Sequence, residues 1–530
     1  MIFEAEQYAP KVQLPPVTGD GFRLHCSLNS PPRIKAETEA GQQYAAAFLG
    51  SQKDDYFRRE AIFQDNPLFA ERGFMLDISR DRVPTMEFLF ALVDWLAALR
   101  YNQLQLYTEH TFAFAKHETV WKEASPLTKD EVQALEKHCA QRQIELVPNQ
   151  NCFGHMERWL RHSDYQHLAE CPNGFNHPVT GPRDHGTTLY PSKESEHFVR
   201  EILDEVLPIY RSKKANIGGD EPWELGQGRS REMVEKHGKH SVYLPFLETI
   251  FEITTSLGKE PIFWADIILE RPKLVEKLPK NVIPAIWGYH PDHPFAEQCE
   301  VVSKAGFRGR FQVVPGSGTW NSFTGRLSFA TRNIESAATN GFNQGARGLV
   351  LTCWGDGGHQ QATPSLFPSL VLAALASWSG NRGTDDLGGL IDQVFYPSKR
   401  PGHGQAIVNL GRVDEMLPYP NHNQSFLHAA FFSSNEKIDE LSKLVDIQKL
   451  ERVCEWMNAI PTDELDPSIQ LAKRMNLWAA HRCAGKMNRR MKDAFDLDDE
   501  LKEIKRDFSS VWLAESRIGG LEDSLKRFPG

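Results

Sequence analysis

The sequence predicts an α/β fold: a (β/α)8 TIM barrel over residues 72–383, a short N-terminal extension (1–71) before it and a C-terminal helical domain (384–530) after it. Three observations lead there. From residue 73 to about 378, short β-rich runs alternate with amphipathic helical stretches, the pattern of a parallel α/β architecture. The runs number eight, which suits a closed barrel better than a doubly wound sheet. Beyond 378 strand-like runs become scarce and long charged amphipathic stretches take over.

In chain order, residues 1–71 open with a Pro-rich segment and carry a helical patch near 35–48, with no full α/β domain in view. The first barrel strand is expected at 73–79 and its helix at 86–99, where Phe88, Leu89, Leu92, Val93, Leu96 and Leu99 recur at three- and four-residue steps. A strand at 103–108 leads to a helix at 129–142. The strand at 145–148 leads, through a long connection at 152–191, to a helix at 195–210. A strand at 215–219 and a helix at 242–257 follow, then strands at 261–266, 282–287, 311–314 and 348–354 and a last barrel helix at 364–378. The C-terminal stretches 436–457 and 469–495 are helical in pattern and read as a packing extension or the surface of a homo-oligomer.

Composition narrows the function. Hydrophobic residues make up 40% and charged residues 25%, ordinary values for a globular chain. A net charge of -10 without a Lys/Arg run argues against nucleic acid or an anionic membrane as partner. Neutral small molecules and glycans stay open. The eight cysteines lack C-x-x-C spacing, which fits packing thiols in a reduced compartment. The opening residues have neither the basic nor the apolar region of a signal peptide, so the cytoplasm is the default, although a removed leader leaves no trace.

In a (β/α)8 barrel the functional site lies at the carboxyl ends of the strands. Those ends carry Asp77, Glu109 with His110, residues 149–155, Asp220 with Glu221, Trp264 with Asp266, Trp287 with Tyr289, Trp320, and Trp354 with Asp356. Tryptophan recurs on the last four strands or the loops after them. One tryptophan there is usually core; four, each beside a polar residue, describe a pocket that stacks sugar faces on rings and binds hydroxyls with carboxylates, Arg and His. Asn216-Ile217-Gly218-Gly219-Asp220-Glu221 is the sharpest of these groups. Alternate strand residues face opposite ways, so Asp220 and Glu221 share a pocket only if the glycines turn the backbone. Taken alone, the pair reads more readily as a solvated strand end.

The connection 152–191 is rich in His, Pro and Gly and is expected over the mouth as a lid. It holds His155, His162, His167, His177, His185, Cys152 and Cys171 without a recognised ligand spacing, so no metal and no cofactor are expected. His155 is the lid histidine expected to act in the site.

Three motifs, in order, resemble glycoside hydrolase family 20, the β-N-acetylhexosaminidases. Arg72-Gly73-Phe74-Met75-Leu76-Asp77-Ile78-Ser79-Arg80 resembles the first-strand motif, Gly154-His155 the third-strand Gly-His, and Asn216 to Glu221 the [His/Asn]-x-Gly-Gly-Asp-Glu motif. Tyr107-Thr108-Glu109-His110 stands where many members carry a His-rich motif ending in Asp, so the chain is most similar to a divergent branch nearer to hexosaminidase D-like members. The resemblance implies a retaining exo-β-N-acetylhexosaminidase that removes terminal β-linked GlcNAc or GalNAc from a glycan or glycoconjugate. Its nucleophile is the substrate's own acetamido oxygen, and an oxazolinium intermediate follows. It further implies Glu221 as acid and then base, Asp220 as the group that orients the acetamido N–H, and Arg72 as the grip on sugar hydroxyls. His155 supports Asp220, Trp264, Trp287 and Trp354 wall the sugar, and Asp356 holds hydroxyls; Glu109, where the second-strand motif departs from the family's, is a further substrate-binding candidate. Tyr289 is the candidate donor to the acetamido oxygen, with Trp320 or a seventh-strand neighbour as alternative. Two other readings stay open: a retaining β-glycosidase with Asp266 or Asp356 as nucleophile, and a noncatalytic glycan-binding barrel.

Overall fold

The computed structural model describes the chain except residues 1, 2, 4, 10, 11, 13, 29, 52–56, 58, 59, 179, 180, 381–383, 420–422, 488–490 and 492–495. The expected barrel end at 383, part of the opening segment and the end of the 469–495 stretch lie outside the described residues.

The strands, in order, are β1 (Glu6–Tyr8), β2 (Phe22–Ser27), β3 (Ser30–Ala36), β4 (Ala61–Asp65), β5 (Glu71–Asp77), β6 (Gln103–Thr108), β7 (Glu145–Gln150), β8 (Phe175–His177), β9 (Gly181–Arg183), β10 (Lys214–Asn216), β11 (Glu260–Trp264), β12 (Ile283–Trp287), β13 (Gln312–Val314) and β14 (Gly348–Cys353). Strands β5, β6, β7 and β10 to β14 close a parallel barrel in sequence order, β14 pairing with β5 from Gly348↔Glu71 to Cys353↔Leu76. Each barrel strand overlaps a run where the sequence placed one. Long, periodic helices between them cover the barrel; Thr85 caps Met86–Ala98 by accepting from the Phe88 N–H, and Thr128 and Glu131 form a capping box on Lys129–Gln141.

The N-terminal extension contains a sheet that the sequence did not mark. It is a four-stranded antiparallel sheet, ordered β1-β4-β2-β3, with the helix Glu39–Ser51 packing Ala45 and Phe48 on Phe22, Leu24 and Phe63. Pro31 and Pro32 disguise β3 in the sequence; at the sheet edge, where β3 lies, a missing N–H is tolerated. Lys35 therefore ends a strand, and the helical patch begins at Glu39.

Inside the barrel the side chains lie in layers. At the amino end of the strands Glu71 accepts from Lys214 Nζ (2.9 Å) and Gln312 Nε2 (2.7 Å). Above it Gln105 Oε1 accepts from Asn149 Nδ2 (2.9 Å) and Asn216 Nδ2 (3.2 Å). Apolar residues Met75, Val147, Ile262, Ile283 and Val350 join Tyr107 and the tryptophans in one buried cluster near the carboxyl end. These partnered amides make the barrel a packed interior rather than a pore, and leave the carboxyl end as its open face.

The C-terminal region is helical and clamps the barrel rim. Arg82 pairs with Glu515 (2.7 Å) and Arg517 with Glu131 (2.7 Å), while Arg158 bridges Asp81 and Asp523. All eight cysteines are buried. Among the described residues no helix is long and apolar enough to cross a membrane.

Candidate active site

The fourth barrel strand, β10, is short because its sequence turns at once. Gly218 and Gly219 take φ of 74° and 95°, and Glu221, with φ of 45°, also lies in the left-handed region. A glutamate there is strained and stays only if its surroundings hold it. They do: the Gly218 N–H donates to Asn216 Oδ1 (3.0 Å), Tyr243 OH donates to the Gly219 carbonyl (2.7 Å), and the Trp223 N–H donates to the Glu221 carbonyl (2.7 Å). Gly154 packs so closely that a Cβ on it would stand 2.1 Å from the Asp220 carbonyl oxygen. The turn brings both carboxylates to one face, with His155 Nε2 3.2 Å from Asp220 Oδ2 and 3.7 Å from Glu221 Oε2.

The two neighbours differ electrostatically. Burial pulls Asp220 up, yet the charge and hydrogen bond of His155 outweigh it and hold the carboxyl below its usual range. Glu221 is raised, first by burial and then by the charges of Asp220 and Asp356. Burial alone would depress His155, but Asp220 lifts it to about 9. The surroundings thus favour the carboxylate at Asp220 and shift Glu221 toward the protonated form.

A continuous polar chain leads away from Asp220. Asn151 Nδ2 donates to Asp220 Oδ1 (3.3 Å) and to Tyr107 OH (3.3 Å), and Tyr107 OH donates to Glu109 Oε1 (2.9 Å). Arg80 closes it, 3.4 Å from Glu109, 3.3 Å from Asp77 and 3.9 Å from Asp356, its guanidinium lying over the rings of Tyr107 (4.7 Å) and Trp354 (4.9 Å). On the opposite side Asp266 accepts from the Glu221 N–H (3.4 Å) and from Trp287 Nε1 (3.2 Å). Burial, and then Asp220 and Glu221, push Asp266 well above the carboxylate range. The aromatic wall is continuous: Tyr289 stacks on Trp287 at 5.1 Å and meets Trp320 edge-on at 5.1 Å, and Trp264 and Trp354 lie 6.2 Å apart.

Ten of the expected site residues are therefore brought together at the carboxyl end of the barrel: Glu109, His155, Asp220, Glu221, Trp264, Trp287, Tyr289, Trp320, Trp354 and Asp356. Arg72 is the correction. It is the second residue of β5, at the closed end of the barrel, where its guanidinium pairs with Asp20 (2.6 Å), donates to the Arg100 carbonyl (2.8 Å) and lies over Trp378 (4.9 Å). The arginine in the pocket is Arg80, at the carboxyl end of the same motif. Position in the strand was the signal: eight residues at about 3.3 Å each separate the two ends of the motif, and the site is at the far one. The lid histidines do not converge. His177 lies by Trp223, His185 contacts Asp184 and Glu157, and only His155 reaches the carboxylates.

Residues 69–307 match the model described as glycosyl hydrolase family 20, catalytic domain. The fold and site thus have a likeness of class: residues 69–307, most of the barrel, are similar to the glycosyl hydrolase family 20 catalytic domain. Among curated proteins the chain is similar to hexosaminidase D of Bos taurus, 25% identical over 242 residues, 42% of this chain and 65% of that one. It is also similar to hexosaminidase D of Homo sapiens, 22% identical over 313 residues, 55% of this chain and 62% of that one. The alignments span under two thirds of the length of these relatives. Among solved structures the Flavobacterium johnsoniae chitobiase superposes over 96% of this chain and 86% of its own with a TM-score of 0.58 at 16% identity, a likeness of fold.

Proposed function

We propose that this chain is a retaining exo-β-N-acetylhexosaminidase that removes terminal β-linked GlcNAc or GalNAc from glycans by substrate-assisted catalysis. The observation that supports it most is the opposite proton state favoured at two adjacent carboxyls, with Glu221 raised and Asp220 lowered. Glu221 keeps a proton for the leaving glycosidic oxygen, then as carboxylate takes one from the attacking water. Asp220, ionised and paired with His155, accepts the acetamido N–H and stabilises the positive charge that grows there as the acetamido oxygen attacks the anomeric carbon. Tyr289 donates to that oxygen, and Trp264, Trp287 and Trp354 enclose the ring and the acetamido methyl. Arg80, Glu109 and Asp356 bind the remaining hydroxyls.

An enzyme nucleophile is disfavoured. Asp266 is the carboxyl beside the pair; burial and its two carboxyl neighbours disfavour its ionised form, and its oxygens already accept from Trp287 Nε1 and the Glu221 N–H. Asp356 stands by Arg80 in the hydroxyl-binding group. The test is initial rates on aryl β-glycosides of GlcNAc, GalNAc, glucose and galactose with a thiazoline inhibitor. Turnover confined to the acetamido sugars and strong thiazoline inhibition support the reading; comparable rates on glucoside or galactoside overturn it.

A further inference from the structure

Two carboxylates outside the pocket, Glu170 and Glu224, are both fully buried at 0% exposure, and neither belongs to the chemistry above. Glu224 stands three residues after Glu221, in the loop that leaves β10. Its Oε1 accepts from the Thr187 N–H, from Thr187 Oγ1 (2.7 Å) and from the Thr188 N–H (2.9 Å), and its Oε2 accepts from the Cys171 N–H (3.2 Å). All of these donors belong to the lid. Glu170 is in the lid and does the reverse: its Oε1 accepts from the Gly228 N–H (3.2 Å), the Ser230 N–H (2.9 Å) and Ser230 Oγ (2.7 Å), all in the loop after Glu221. Main-chain bonds run alongside, from Arg229 N to the Glu170 carbonyl (3.1 Å) and from Glu170 N to the Thr188 carbonyl (2.9 Å).

Each loop thus contributes one buried carboxylate that gathers the other's N–H groups. Two glycines make the approach possible: a Cβ on Gly228 would stand 2.1 Å from the Glu170 carbonyl oxygen, and one on Gly186 3.2 Å from Glu224 Oε2. Charge-assisted bonds of this kind are roughly twice as strong as neutral ones, and a buried carboxylate is stable only with its donors in place. The connection to catalysis runs through Glu221. Its side chain is 32% exposed, with His155 at 3.7 Å its one ion-pair contact among the described residues, so its place depends on its backbone. That backbone holds a strained φ of 45° and is joined to Glu224 through Pro222 and Trp223 alone.

We infer that Glu170 and Glu224 form a reciprocal clip between the lid and the post-β10 loop, and that they are positioning residues which hold Glu221 at the leaving-group oxygen. The catalytic half rests on the hydrolase reading above; the clip itself does not. A loosened clip lets Glu221 leave its position, which matters most when the leaving group needs full protonation. At Glu224, where both oxygens accept, neutral Gln puts an NH2 against an N–H donor; at Glu170, where Oε1 alone accepts from the opposite loop, Gln weakens those bonds by removing the charge that assists them.

The experiment compares wild type, Glu224→Gln and Glu170→Gln in two measurements. Amide hydrogen exchange is expected to quicken about tenfold or more in the opposite loop: at Cys171, Thr187 and Thr188 for Glu224→Gln, at Gly228 and Ser230 for Glu170→Gln. Unchanged exchange there overturns the clip. On N-acetylglucosaminides, kcat is expected to fall tenfold or more for an alkyl leaving group and within about threefold for dinitrophenyl, with KM within twofold. An equal loss on both leaving groups overturns the positioning role. Wild type inert on both glycosides sinks the hydrolase reading and with it the positioning role, while exchange still decides the clip. If the carboxylate variants fail to fold, Thr187→Val and Ser230→Ala, each deleting one donor, carry the same test, with about threefold effects in the same pattern and the same overturning results.

Discussion

Glu221 and Asp220 are one peptide bond apart and face opposite demands, so their substitutions should separate. Glu221→Gln should lose activity severely on poor leaving groups and mildly on activated aryl glycosides; equal loss on both would remove the acid role. Asp220→Asn should lower kcat on N-acetyl substrates by about 10²-fold or more, comparable with the loss of one preorganised stabilising group. Arg80→Ala should reduce kcat/KM about a hundredfold, some 2.7 kcal/mol at 1.36 kcal/mol per decade, because Glu109, Asp77 and Asp356 lose their shared cation. For His155 the sign of the pH effect follows from its raised value. Its folded-state pKa of about 9 exceeds the unfolded 6.5, so the stability it contributes is complete below 6.5 and lost as pH rises through about 9. The stability gap between wild type and His155→Phe, measured by denaturation at pH 6 and pH 9.5, should therefore shrink at the higher pH.

At the scale of elements, the site is a meeting of β7 and β10 ends, and Gly154 is the contact. Gly154→Ala places a methyl against the Asp220 carbonyl with no flexible side chain to yield, so the turn itself must move. Overpacking of this sort costs about 1–3 kcal/mol. The expected result is a lower unfolding midpoint with a larger fall in kcat than in substrate affinity. The eight barrel strands were legible because period-two and 3.6-residue patterns are local. The Gly-Gly-Asp-Glu turn was legible for the same reason, since glycine tolerates the positive φ that the turn needs. Strand β3 was obscured by Pro31 and Pro32, because whether proline is tolerated depends on the strand's place in the sheet.

At the scale of the molecule, the N-terminal sheet is fastened to the closed end of the barrel by Asp20 on Arg72 and Asp65 on Arg100, around Trp378. Arg72→Ala should lower the unfolding free energy by about 3 kcal/mol, as loss of one partner from a buried pair does. It should leave KM and kcat of the folded protein within about twofold, the reverse of Arg80→Ala. By itself the sequence determined the class of fold, the order of its barrel strands and which polar and aromatic residues fall at their carboxyl ends, because periodicity, turn chemistry and motif order act over a few residues. Only the tertiary structure decided which arginine of the first motif faces the sugar, that Asp220 and Glu221 have opposite proton affinities, and that Glu170 and Glu224 tie the lid down. Each of these depends on burial and on charges brought together from distant parts of the chain, and no local pattern records them.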